Sequence, residues 1–487
     1  MREGWSVEAW SKMPRTKIIC TIGPASGSPE IMRGLIRAGM DVARINFSHG
    51  DHSTHGRSIA TLRQVAEEEG RLVAIMADLQ GPKFRVGEIE SGAVELREGE
   101  VVTLTSRLRS GATDEIPVPH PELLRDLRPG QTVLLDDGRL ELAVMRAGEG
   151  CLKCRVVTGG RLTSHKGINV PGATLRFSAL TPKDREDVAF ALEQEVDFFA
   201  LSFVRRAADV RELRQFLKDK GADVSIIAKI EKPEALSVFD EILAEADGIM
   251  IARGDLGVET PAEEVPFHQK RIIRACNQAG KPVITATEML QTMMENPRPT
   301  RAEASDIANA ILDGTDAVML SGETAIGRYP VEAAETMAMI SANAEAHLPY
   351  GRLLHGESHR HETITEAISC AAVEIASEVG ARAIITATMS GRTARMVARH
   401  RPSVPIVAVT PSRTTLSRLA LVWGVVPVQV SEFKTTDEMV QVMVQAARET
   451  NLVAWGDRVV LTAGIPFGSG GETNMLKVHV VGEGEKM

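Results

Sequence analysis

Long apolar runs are missing from this chain of 487 residues. No stretch of about 18 apolar residues occurs, so no membrane-spanning helix is expected. The N-terminus, MREGWSVEAWSKMPRTK, lacks the apolar centre of a signal peptide. Cysteine is scarce: five residues, odd in number and scattered, which argues against a disulfide framework and for a reducing compartment. An excess of positive charge is also missing. With 56 Lys and Arg against 65 Asp and Glu the net charge is −9, which argues against a general nucleic-acid binder. A local basic pocket for an anionic substrate stays open. No low-complexity tract or short tandem repeat is found. The expectation is a cytoplasmic, water-soluble protein, 43% apolar and 25% charged, too long for one core and divided into about two to four domains.

Short apolar runs recur at regular intervals. They are KIICTIG (17–23), DVARINF (41–47), VAIMADLQ (73–80), DFFALSFV (197–204), SIIAKIE (225–231), GIMIARGD (248–255), PVITATEM (282–289) and AVMLSGET (317–324). Each reads as a buried parallel strand. Helical stretches lie between most of them. In SPEIMRGLIRAG, Ser28 and Pro29 supply an N-cap and a first-turn proline. In PTRAEASDIANAILDG, Thr300 and Glu303 have capping-box spacing. Eight such units predict a closed (β/α)8 TIM barrel, with a doubly wound open sheet as the alternative.

Residues 82–176 interrupt the series between the third and fourth runs. GAVELREGEVVTLT, QTVLLDDGRLELAVM and CLKCRVVTGG alternate like short strands, and DDG at 136–138 signals a hairpin. The segment predicts a small β-barrel inserted in a barrel loop, acting as a lid. The barrel would then comprise 1–81 and 177–345. After it, HLPYGRLLHGESHRHETIT reads as a linker. A C-terminal α/β unit (346–487) follows, with strands at ARAIITATM, PIVAVTP, VVPVQV, DRVVLTAGIPFG and LKVHVVG.

The ends of the barrel strands carry the polar residues. Lys229 and Glu231 are two apart and share one side of the fifth strand, and Asp255 ends the sixth. Arg44 and Asn46 alternate to one side of the second strand, as does Ser48 if the extended geometry continues, with His49 next. Asp78 ends the third, Thr287 the seventh, and Ser321 with Glu323 the eighth. Charges at one end of an apolar barrel need water, a metal or a substrate. Two carboxylates on neighbouring strands suit Mg²⁺ completed by substrate oxygens and water. Arg44, Arg85 and Lys229 suit phosphate or carboxylate.

Plainer readings compete at several positions. A lone Lys-x-Glu on a strand is most often a surface ion pair, a reading weakened here by Arg44, Asp255 and Thr287 at equivalent strand ends. His49 serves equally as a cap for the following helix. Ser321 and Glu323 serve equally as supports. Cys151 and Cys154 form a C-x₂-C without a second pair at zinc spacing, and read as strand cysteines. His355, His359 and His361 read as solvated linker residues, and Gly464 to Gly471 as a loop beside an effector site or a plain turn. Trp5 and Trp10 read as packing for an N-terminal extension.

TKIICTIGPAS, RINFSHG, DLQGPKFR, HKGINVPG, IIAKIE, IARGDLGVE, VITATEML and LSGETAIGRYP together resemble the pyruvate kinase family, in the family's order and over residues 16 to 330. The resemblance implies transfer of the phosphoryl group of phosphoenolpyruvate to ADP, giving pyruvate and ATP. It implies Mg²⁺ (or Mn²⁺) on Glu231 and Asp255, Lys229 at the transferring phosphoryl group, and Arg44 at the substrate phosphate. The backbone around Arg253, Gly254 and Asp255, with the Thr287 hydroxyl, would hold the carboxylate. Arg85 and Lys166 would reach the nucleotide phosphates, with Asn46 and His49 nearby. Protonation of the enolate falls to water and hydroxyls near Thr287, with Ser321 and Glu323 behind.

The same resemblance places a monovalent cation, usually K⁺, at Asn46, Ser48, Asp78 and Leu79. Relatives that need K⁺ carry Thr, Lys and Glu where this chain has Leu79, Gln80 and Lys83. The expectation is that the Lys83 ammonium replaces the ion. The C-terminal turn Thr388, Ser390, Gly391, Arg392 and Thr393 resembles a site for a phosphorylated allosteric effector, although Met389 stands where some relatives have Lys. A homotetramer is implied; because the sequence ends soon after the C-terminal unit, the extra phosphohistidine-type domain of some bacterial relatives is not expected. Two other hypotheses are another barrel enzyme stabilising an enolate on Mg²⁺ and a silent effector-binding protein. The first would not need the lid or Lys166. The second predicts loss of Lys229, Glu231 or Asp255, all of which are present.

Overall fold

The computed structural model describes residues 13–107, 109–110 (backbone), 114–148, 150–173, 177–348, 363–467 and 472–483. Trp5, Trp10, His355, His359, His361 and the 468–471 part of the glycine-rich loop lie outside these.

Eight parallel strands close into a ring: β1 (Lys17–Ile22), β2 (Met40–Asn46), β3 (Ala74–Asp78), β4 (Phe198–Leu201), β5 (Ser225–Ile230), β6 (Gly248–Ala252), β7 (Val283–Ala286) and β8 (Ala317–Leu320). β8 pairs with β1, with Lys17 opposite Ala317. These strands are mostly apolar because both faces are covered, by barrel interior on one side and helices on the other; the polar residues gather mainly toward their ends. The helix signals in the sequence hold. In α1 (Pro29–Ala38), Ser28 Oγ accepts the Ile31 N–H and Gly39 closes the helix at φ 112°. Thr300 and Glu303 form a complete capping box at the start of the helix Arg301–Leu312. His49 caps nothing: Asp51 is the N-cap of α2 (His52–Glu68), accepting the Thr54 N–H at 2.8 Å.

The segment between β3 and β4 builds a six-stranded sheet with two further two-stranded ladders around one core of Leu, Val and Ile. The predicted hairpin joins Thr132–Leu135 to Leu140–Gly148, and Asp136 (φ 51°) and Asp137 (φ 55°) adopt the left-handed backbone that such a turn requires. Cys151 and Cys154 lie on a strand of this unit, and all five cysteines are free thiols. The C-terminal unit is a five-stranded sheet, four strands parallel and Met475–Val480 antiparallel at its edge.

The C-terminal unit meets the barrel at the end opposite the polar strand ends. Ala420 and Leu421 join the interior cluster formed by Ile19, Val42, Met76, Phe198, Met250 and Met319. Arg401 donates to Asp316 at 2.8 Å in a buried ion pair beside β8. No helix among the described residues is long and apolar enough to cross a membrane.

Candidate active site

Past the C-terminal ends of the strands lies an open cleft of about 420 Å³. Arg44, Asn46, Ser48, Gln80, Lys83 and Lys229 line one part of it, and Glu231, Asp255 and Thr287 another. The sequence placed most of these at strand ends, and the structure differs at two of them. Extended backbone does not continue through Ser48: its N–H turns back to Asn46 Oδ1 at 3.1 Å, yet the residue still reaches the cleft. Asp255 is not on a strand. β6 stops at Ala252 and the chain coils at once into α3 (Arg253–Glu259), with Asp255 in its first turn.

Lys229 is the centre of a buried charge network. Its ammonium donates to Ser202 Oγ at 2.7 Å and to Asp78 Oδ1 at 3.1 Å, and lies 2.8 Å from Glu231 Oε1. Burial opposes the Lys229 charge, but Asp78 and Glu231 outweigh it and hold the pKa above its ordinary value. The other oxygen of Asp78 accepts Arg44 Nε at 2.7 Å. Burial raises Asp78 as well, and Lys229 and Arg44 together reverse this and keep it ionised. Arg44 Nη1 donates to Thr21 Oγ1 at 3.0 Å. Two cations are thus fixed side by side at the cleft by a carboxylate buried beneath them.

Burial pushes the Glu231 carboxyl above the usual range; Lys229 pulls against it, and the Asp255 charge adds to it. The second Glu231 oxygen accepts the Phe203 N–H at 3.0 Å. The Asp255 side chain lines the cleft and has no hydrogen bond or ion pair among the described residues. Two carboxylates that repel each other across a cleft, one of them unpartnered, fit a divalent cation.

Thr287 sits in the left-handed region (φ 68°), uncommon for a β-branched residue and a mark of imposed strain. Its hydroxyl accepts the Gly254 N–H at 2.7 Å and donates to Ala286 O. The Arg253 side chain does not line the cleft. It pairs with Asp306 at 2.7 Å and donates to Thr287 O. Glu323 is 1% exposed and accepts two backbone N–H groups, from Leu290 and Ser321, so it braces the loops after β7 and β8. Leu79 is fully buried in the barrel's outer core, and Asp78 is already doubly paired.

Arg85 and Lys166 come from the inserted unit. Arg85 donates to His165 O at 2.9 Å and Lys166 pairs with Asp136 at 2.7 Å. His49 is held below its usual pKa by burial and then by the charges of Lys83, Arg85 and Arg44. No described contact ties Lys166 to the cleft. At the C-terminal turn, Thr388 Oγ1 accepts the Gly391 N–H at 2.9 Å and Thr393 bonds Thr473, leaving Ser390 and Arg392 exposed.

Sequence reasoning missed Ser202 and Thr21. Ser202 relays Lys229 to Leu79 O, to which its hydroxyl donates at 2.7 Å. A signal existed: Ser202 stands one residue past β4, the place where the other strands carry their functional groups.

Known proteins resemble this chain over most of its length. Residues 13–334 match the family model for the pyruvate kinase barrel domain, and 366–479 match the pyruvate kinase alpha/beta domain. A pyruvate kinase of Geobacillus stearothermophilus is 50% identical over 475 residues, covering 96% of this chain and 81% of the relative. One of Sporosarcina psychrophila is 46% identical, covering 97% and 81%. The crystal structure of a pyruvate kinase from Cryptosporidium parvum superposes with a TM-score of 0.91 at 38% identity, covering 98% of both chains. With two family models matched and about half of all positions shared over nearly the full length, the chain belongs to the pyruvate kinase family of phosphotransferases.

Proposed function

We propose that this chain moves the phosphoryl group of phosphoenolpyruvate to ADP at the cleft above Lys229, releasing pyruvate and ATP. The observation that carries the reading is the buried Asp78, which holds Lys229 and Arg44 charged and adjacent at the mouth of the barrel. Arg44 Nη2 has no hydrogen bond among the described residues and is the group for the substrate phosphate. The Lys229 ammonium offsets the charge spread over the equatorial oxygens in transit. The substrate carboxylate takes the Gly254 N–H now held by Thr287, and the freed Thr287 hydroxyl orients it. Mg²⁺ or Mn²⁺ on Glu231 and Asp255 would supply positive charge bridging protein and substrate oxygens. Arg85 and Lys166 receive the nucleotide phosphates, with Asn46 and His49 beside them. The enolate is protonated through water and the Thr287 hydroxyl.

The division proposed is a catalytic barrel at 1–81 and 177–345, a lid at 82–176 and a regulatory unit at 346–487; clusters confined to each unit support it, although one further cluster is shared by barrel and C-terminal unit. Apolar side chains exposed on the barrel's outer surface, Phe267, Ile326 and Met339, support a homotetramer. Five free thiols support a cytoplasmic location.

The family generally uses Mg²⁺ and K⁺. Here Lys83 lines the cleft with Asn46 and Ser48, which supports the reading that its ammonium stands in for the monovalent cation. A coupled assay for pyruvate from phosphoenolpyruvate and ADP tests both readings at once. Full turnover is expected with Mg²⁺ in buffer free of sodium and potassium. Only trace turnover without K⁺ would refute the role of Lys83, and none under any salt would refute the function.

The turn Thr388, Ser390, Gly391, Arg392 and Thr393 is the proposed effector site, open at Ser390 and Arg392. Isothermal titration with fructose bisphosphate, ribose 5-phosphate and AMP should give one saturable heat signal. Three flat traces would remove the site.

A further inference from the structure

A second buried ion pair stands just behind the metal carboxylates. Lys232 follows Glu231 directly and caps the helix Pro233–Ser237, and its ammonium contacts Glu259 Oε1. Glu259 ends α3, one helical turn after Asp255 and on the same face. Their side chains are 9% and 1% exposed. The pair therefore joins the segment carrying one metal carboxylate to the helix carrying the other.

The lid is attached to the same pair. Asn169, on the inserted unit, donates from Nδ2 to Glu259 Oε1 at 2.8 Å. The tip of the lid hairpin also passes close to α3: a side chain at Gly138 would meet Val258 at 3.7 Å. Lys232 lies 5.0 Å above the Phe203 ring, and the Phe203 N–H holds Glu231. Phe203 itself has φ 57°, so its backbone is held in place by its surroundings.

We propose that Lys232 and Glu259 are positioning residues for the phosphoryl transfer: a brace that sets the spacing of Glu231 and Asp255 and that the lid grips through Asn169. The inference rests on Glu231 and Asp255 being the divalent-cation ligands. Lid placement then acts on metal affinity, because Asn169 bears on Glu259 and Glu259 fixes the short helix that presents Asp255. A contact that merely anchored the lid would change nucleotide affinity and lid protection and leave metal binding alone.

The test is direct Mn²⁺ binding to the full chain without substrate, read from the free-ion electron paramagnetic resonance signal. Glu259→Gln and Lys232→Met should each weaken binding by about 10- to 100-fold, the range seen when groups supporting metal ligands are removed. Lys232→Arg should retain it. Asn169→Ala should speed proteolysis of the lid, raise KM for ADP more than it lowers kcat, and weaken Mn²⁺ binding severalfold. A single substitution leaves one buried charge unpaired and endangers folding. The double variant Lys232→Met with Glu259→Gln avoids that, and should fold yet still bind Mn²⁺ weakly. Parent-like Mn²⁺ binding in the double variant, or in both singles, would overturn the brace. Glu231→Gln serves as the control: if it too bound like the parent, the metal reading itself would fall and the brace with it.

Discussion

Replacing Lys229 by methionine should lower turnover by about 10³-fold or more while leaving the barrel folded. The size follows from the chemistry, since a fixed cation aimed at charge developing on a phosphoryl group is worth about 10³- to 10⁵-fold in analogous transfers. The barrel should persist because Asp78 keeps Arg44 as a partner at 2.7 Å and methionine fills the aliphatic volume. Glu231 loses its ion pair and retains the Phe203 N–H. Its pKa, already above the usual range, rises further. A carboxyl raised in the folded state contributes stability below its unfolded pKa, and that contribution is lost as pH climbs through the folded value. The gap in melting temperature between variant and parent should therefore narrow as pH falls toward the carboxylate range. Steady-state assay and circular dichroism melts check both statements. Near-normal turnover, or a gap that widens in acid, would contradict the Lys229 charge network.

Asp316→Ala should reduce the free energy of unfolding by about 3–5 kcal/mol, the usual loss when one member of a buried ion pair is removed. Asp316 accepts Arg401 Nη1 at 2.8 Å with one oxygen and the Val283 N–H at 3.0 Å with the other. The Arg401 and Asp316 side chains are 6% and 7% exposed. The variant strands a guanidinium between barrel and C-terminal unit. Denaturant titration should show the midpoint falling. Pairing Asp316→Leu with Arg401→Met should recover part of the loss, since no charge is left buried alone. A single variant as stable as the parent would show that the junction is wet and that the pair carries little.

How legible each feature was depended on how local its cause is. All eight barrel strands could be found because a strand buried on both faces carries a short apolar run, such as IIA within SIIAKI or AIMA within AIMAD. Lys229 and Glu231 could be paired because strand parity puts them on one side. Asp255 reaches the cleft, though from a helix rather than a strand. GIMIARGD reads as one strand, but the apolar pattern stops at Ala252, and the coil that follows has no signal in its own composition. Ser202 was legible by position and was overlooked because a lone serine has many ordinary roles. The Lys232–Glu259 pair was not legible: nothing in IEKPEAL or LGVET states that residues 27 apart in sequence meet. That contact exists only after the barrel closes and places β5 beside β6. Likewise, Glu323 reads from sequence equally as a group behind the proton relay or as a support, and its bonds to the backbone of Leu290 and Ser321 favour the support.

The presence of Ala420 and Leu421 inside the barrel's central cluster has a consequence for how this chain can be cut and recombined. The barrel has no floor of its own. A neighbouring unit supplies the stopper, and the same cluster extends upward to Met250 and Met319, which line the cleft. A fragment ending before residue 363 would open that apolar shaft to water from below. Conversely, a C-terminal unit grafted from a relative must bring a stopper of matching volume.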